Sequence, residues 1–367
     1  MASIPNLNTF RRGRGAPRLR RGGKGGHDQD GNPDESSNQF TRDRIVQQTD
    51  HDASSSRMSA IALGYLDDSF ATAFYQSNEP PPKRYPIINR GTYVRTKAID
   101  QLVICFLDAN PTRKKQIASL GAGSDTRFFR FLTAGHFREA GVEYHELDFE
   151  ENINHKRKVT RESPQLSGLI NQAEKNNVFY RLHAIDLRSL TAKSPPTIPN
   201  LDSDLPTLLL SECCLCYLPP EEASSVIQYF TMHITAPLAL VLYEPIRPFD
   251  AFGKTMVSNL ASRGIHLQTL KQYSTLEAQR QRLRHAGFTT GQGARDVHEI
   301  WEGGEWISKM EKERIEDLEW LDEIEEWKLL AGHYCIAWGW RGEEISEVWS
   351  EIEGRRTEAE AKDDNPS

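Results

Sequence analysis

The chain has 367 residues, 38% hydrophobic and 26% charged, with a formal net charge of −7, a balance that fits one large globular domain with a tail. No stretch approaches the roughly 18 apolar residues of a membrane span, and the N-terminus lacks the apolar core of a secretory signal. No membrane partner is expected, and the compartment expected is the cytoplasm, with the nucleus as a further possibility.

Residues 1–50 are rich in Gly, Arg, Asp and Ser and contain the basic run "RRGRGAPRLRRGGKGG". They read as a disordered leader, and without interleaved aromatics to stack on bases a nucleic-acid partner is not expected. Residues 51–342 read as the folded domain and 343–367 as a flexible tail. Within the domain the apolar runs "QIASLGAG", "VEYHELD", "FYRLHAID", "PTLLLSE", "LALVLYEP" and "YCIAWGW" alternate with helical patterns such as "EENINHKRKVTRE" and "PPEEASSVIQYFTMH". That alternation predicts an α/β fold with a doubly wound, mostly parallel sheet.

The first strand ends in Gly121-Ala122-Gly123, a tight turn leading into a helix, but the third glycine of a dinucleotide fingerprint is replaced by Thr126, which disfavours NAD. Acids follow four successive strands: Asp125, Asp148, Asp186 and Glu212. Such ends converge at one sheet edge. A carboxylate after the second strand suits two ribose hydroxyls, Asp186 and Leu187 suit an adenine, and several acids without a phosphate-binding lysine favour a positively charged ligand. S-adenosylmethionine meets all three demands. The five cysteines, Cys105, Cys213, Cys214, Cys216 and Cys335, are odd in number, lie in apolar stretches and lack metal-ligand spacing, so reduced thiols and no metal are expected.

The motifs "NRGTYVRTKAID", "SLGAGSDTRFFR", "HELDFEEN", "AIDLRSL", "LPTLLLSECCLCYLPPEEA", "YEPIRPFDAFGKTMVSNLASRGI" and "EWLDEIEEWKLLAGHYCIAWG" stand in the order of, and jointly resemble, the leucine carboxyl methyltransferase family over about residues 52–340. The resemblance implies a seven-stranded Rossmann-like sheet with N-terminal helices and an added helical lid. It implies cofactor contacts at Arg57, Arg95, Gly121, Asp148, Asp186, Leu187 and Glu212, with S-adenosylmethionine as cofactor. The branch that methylates the C-terminal leucine of the phosphatase 2A catalytic subunit fits best, since relatives acting on tRNA carry a C-terminal propeller for which this chain leaves no room. A monomer is expected.

A carboxylate nucleophile is already ionised at neutral pH, so no general base or catalytic triad is required. Arg90 and Arg95 are candidates to hold the substrate carboxylate, and Tyr217 to donate a hydrogen bond near the reacting centre. The segment "PFDAFGKTMVSNLASRGIHL" is either a substrate lid or a core helix, and "RIEDLEWLDEIEEW" reads as one acidic helix with Ile315, Leu318, Leu321 and Ile324 on a stripe. Alternatives are a small-molecule or tRNA methyltransferase on the same fold, or a cofactor-binding module without catalysis.

Overall fold

Proline at the first turn and apolar residues at helical spacing build the long helix Pro86–Asp108, whose Val94, Ala98, Ile99, Leu102, Val103 and Phe106 are all buried. The computed structural model describes residues 34–77, 80–350 and 352. An earlier helix, Asp34–Ala62, packs against Pro86–Asp108. Seven strands follow: β1 Lys115–Leu120, β2 Val142–Asp148, β3 Val178–Ala184, β4 Thr207–Glu212, β5 Leu238–Pro245, β6 Gly291–Asp296 and β7 Tyr334–Arg341.

They form one sheet in the order β3-β2-β1-β4-β5-β7-β6. The first five run parallel, and β7 is antiparallel to both of its neighbours. Strands β1, β2 and β5 are buried along their whole length, as expected of strands covered by helices on both faces. One core gathers Phe106, Phe128, Tyr144 and Trp338 beneath the N-terminal helices, and the other gathers Leu147, Leu209, Phe230 and Leu240 on the opposite face. Strand order reverses between β1 and β4, so a crevice opens there at the strand C-termini.

The predicted α/β fold holds, and the helices Glu150–Glu162 and Pro220–His233 fall where the patterns place them. Strand β6, "GQGARD", has no apolar alternation; it is a strand because it pairs with β7, and a Cβ at Gly291 would collide with the Trp340 indole. Three expectations are corrected. Residues 34–50 of the expected leader belong to the helix Asp34–Ala62, anchored by polar contacts that hydropathy does not register: Asp43 pairs with Arg188, and Asp50 accepts hydrogen bonds from Ser124. Residues 1–33, including the basic run, lie outside the described residues.

The second correction concerns the expected tail: residues 343–350 are helical and insert Ile345 and Trp349 into the core. The third concerns the acidic helix, which is two helices, Lys309–Glu316 and Ile324–Gly332. Ile315 is buried while Ile324 is exposed, so the stripe does not persist across the break.

His145 of β2 and His183 of β3 are both buried, with Nδ1 and Nε2 3.0 Å apart. Burial pushes His145 down to about 3, with the charges of His183 and Arg181 adding to it. Burial and the arginines Arg157 and Arg181 push His183 down to about 4. Both rings are neutral in the fold, whereas the unfolded chain takes up protons below about pH 6.5, so stability falls as pH falls, by about 1 kcal/mol per ring between pH 6.5 and 5.5 and approaching roughly 1.4 kcal/mol per unit below that. Denaturant titrations between pH 6.5 and 5.5 are expected to show this slope. Replacing both rings by leucine should flatten it; an unchanged slope would assign it to other groups.

Candidate active site

The turn after β1 needs its glycines. Gly121 and Gly123 have φ of +64° and +47°, where a Cβ is strained, and a Cβ would also collide with Cys214 at the first and with Asp50 at the second. Asp50 reaches over from the first helix to accept from the Ser124 amide and hydroxyl, both at 2.8 Å. Asp148, at the tip of β2, accepts from the Gly123 amide at 2.7 Å and from Asn152 at 2.9 Å. Burial raises its pKa against the opposing pull of these donors. Thr126, in place of the third glycine, is buried and donates to Asp68 at 2.5 Å.

A cavity of about 430 Å³ opens over this turn, at the C-terminal ends of β1 and β4. Its lining includes a cluster of charged groups. Arg95 Nε donates to one oxygen of Glu212 at 2.8 Å, and Arg127 Nη2 to the other at 2.8 Å. Arg127 is fully buried and also bonds Asp125 at 2.6 Å and Asp100 at 2.8 Å. Burial opposes ionisation of Glu212, but Arg127 and Arg95 outweigh it and hold the carboxyl below its ordinary range. Arg57 lines the same cavity and pairs with Asp68 at 3.2 Å.

Apolar and aromatic residues line the same cavity: Ile88, Val297, Trp327, Leu330 and the stacked pair Tyr243 and Tyr334, whose ring centroids are 5.5 Å apart. Arg95 lies over the Tyr243 ring at 4.5 Å. The helix Ala251–Ala261 buries only Gly253, so it is not a core helix. Leu260, Arg263 and Ile265 at its end line the cavity, and Arg263 pairs with Asp52 of the first helix.

Six of the expected residues, Arg57, Arg95, Gly121, Asp148, Glu212 and Tyr217, therefore meet at one cavity. Tyr217 sits in a short 3-10 turn after β4. Asp186 and Leu187 do not line it. Asp186 caps the turn after β3 and is held by Arg188, which bridges to Asp43, and Leu187 is buried in the second core. Arg90 is also elsewhere, with its guanidinium over Trp301 at 4.6 Å and Trp327 at 5.5 Å.

Sequence reading missed Asp50, Arg127, Tyr243 and Tyr334. For Arg127 there was a signal: it adjoins Phe128 and Phe129 on a buried helix, where an arginine requires partners.

Fold and cavity together define a Rossmann-like α/β protein with a cavity at the switch point of the sheet. A family model described as leucine carboxyl methyltransferase matches residues 45–231. The chain is 51% identical over 391 residues to leucine carboxyl methyltransferase 1 of Emericella nidulans, covering 97% of this chain and 98% of that protein. It is 48% identical over 401 residues to the Aspergillus fumigatus protein of the same name, covering 96% and 98%. Human tRNA wybutosine-synthesizing protein 4 is 34% identical over 315 residues, covering 82% of this chain and 45% of that protein. The chain belongs to the leucine carboxyl methyltransferase family of methyltransferase enzymes. Among the described residues, no helix is long and apolar enough to cross a membrane.

Proposed function

We propose that the protein transfers a methyl group from S-adenosylmethionine to the C-terminal leucine α-carboxylate of the phosphatase 2A catalytic subunit, giving a methyl ester. The observation that carries this reading is the mixed lining of one cavity, in which carboxylates and arginines stand together with apolar and aromatic side chains. The charged groups suit a ligand with a ribose and a cationic centre, and the apolar groups suit an aliphatic side chain. The open glycine turn and the Asp148 carboxylate fit the cofactor, with Arg57, Arg95 and Glu212 completing its charged contacts.

When bound, S-adenosylmethionine supplies a methyl on a sulfonium, which leaves as a neutral thioether. Arg95 is suited to orient the substrate carboxylate, and Tyr217 to donate a hydrogen bond beside it. The cover formed by Ala251–Ala261 and the first helix excludes water from a weak nucleophile. Since a carboxylate has a reference pKa of about 3.5, none of these side chains needs to remove a proton.

The test is incubation with methyl-labelled S-adenosylmethionine and folded phosphatase 2A catalytic subunit. Label released by mild base as methanol, and lost when the terminal leucine is removed or amidated, is expected. Base-stable label, or equal labelling of the truncated phosphatase, would overturn the carboxyl assignment and favour a tRNA or small-molecule acceptor.

A further inference from the structure

We propose that Arg127 is the positioning residue of this site: it fixes the orientation of Glu212 and, through Glu212, that of Arg95. The inference rests on the reading of the cavity as an S-adenosylmethionine site. Arg127 is itself 0% exposed and does not line the cavity, yet its guanidinium meets three carboxylates from three elements. Asp100 belongs to the helix Pro86–Asp108, Asp125 to the turn after β1 and Glu212 to the end of β4. Nε, Nη1 and Nη2 each serve a different acid, at 2.8, 2.6 and 2.8 Å, so the planar fork has no rotational freedom left.

The consequence falls on Glu212. With one oxygen on Arg127 and the other on Arg95, its carboxylate cannot turn without breaking one charged bond. Asp125, whose first oxygen accepts from the Arg127 amide at 3.0 Å and whose second meets the guanidinium, is fixed in the same way. A lysine at this position keeps the charge but lacks the planar fork that fixes the directions of three acids at once.

Asp100 gives an independent handle. It lines a separate cavity of about 560 Å³, together with Asp68, Lys97 and Arg130, and has no place in the candidate active site. Asp100 bonds both Arg127 and Arg130, and Arg130 approaches Asp68, the partner of Arg57, so a change at Asp100 reaches the site directly through Arg127 and more remotely through Arg130.

The experiment is calorimetric titration of S-adenosylmethionine into the full chain and its Arg127→Lys and Asp100→Asn variants at pH 6, 7 and 8.5, with kcat and KM measured on the same samples. The charged groups facing Glu212 are Arg127, Arg95, Arg57 and Asp125, with the Tyr243 phenol nearby. Arg127→Lys is expected to weaken binding about tenfold or more at pH 7. Because lysine keeps the positive charge and Arg95 stays on Glu212, the carboxyl remains ionised and the loss should be the same at all three pH values, the mark of lost orientation and not of lost charge.

Asp100→Asn is expected to weaken binding about threefold with the fold intact, less than the loss of a direct charged bond because the effect is transmitted to the site. A folded Arg127→Lys protein that binds like wild type at every pH would overturn the inference. Should that variant not fold, unchanged affinity in Asp100→Asn overturns it instead. Wild-type protein that fails to bind at all would overturn the cofactor reading beneath it, which is a separate result.

Discussion

Glu212→Gln is expected to lose about 2–3 kcal/mol of S-adenosylmethionine binding, since a charge-assisted contact becomes neutral and two arginines lose their shared counter-ion. Glu212 keeps some exposure, with 15% of its side chain accessible, so the figure lies below that for breaking a fully enclosed pair. The fold should survive, because Arg127 retains Asp125 and Asp100. Titration calorimetry with melting as a control reads both quantities. Wild-type affinity in a folded variant would remove Glu212 from the cofactor's contacts.

Trp349→Ala is expected to cost about 3–5 kcal/mol of stability, the range for truncating a large buried aromatic. The indole is fully buried, meets Trp340 edge-on at a centroid distance of 5.7 Å and donates from Nε1 to the Leu102 carbonyl at 3.2 Å. Removing it opens a void under the helix Pro86–Asp108, which also carries Arg95 and Asp100. Denaturant unfolding checks the value. A loss under about 1 kcal/mol, the scale of an exposed position, would restore the view of residues 343–350 as an appendage.

Much of this protein was legible locally. Runs of buried apolar residues mark β1, β2, β4 and β5, and their alternation with helices dictates the doubly wound sheet. The glycine turn and the acids at Asp148 and Glu212 could be read as one site because parallel strands present their C-termini at one edge. Family likeness supplied Arg57 and Arg95, which no periodicity marks.

What sequence alone determined was thus the fold class, the strand that carries the glycine turn and the carboxylates able to meet there, since each follows from short-range pattern and strand direction. Tertiary structure alone decided the rest. A polar strand such as β6 exists only by pairing with β7, and residues 34–50 are anchored by Asp43 and Asp50 reaching partners far along the chain. Asp186 was diverted to Arg188, while Arg127 joined three acids separated by up to 112 positions, from Asp100 to Glu212. Charge pairing between distant segments leaves no trace in local hydropathy, so only the folded arrangement shows which ions find each other.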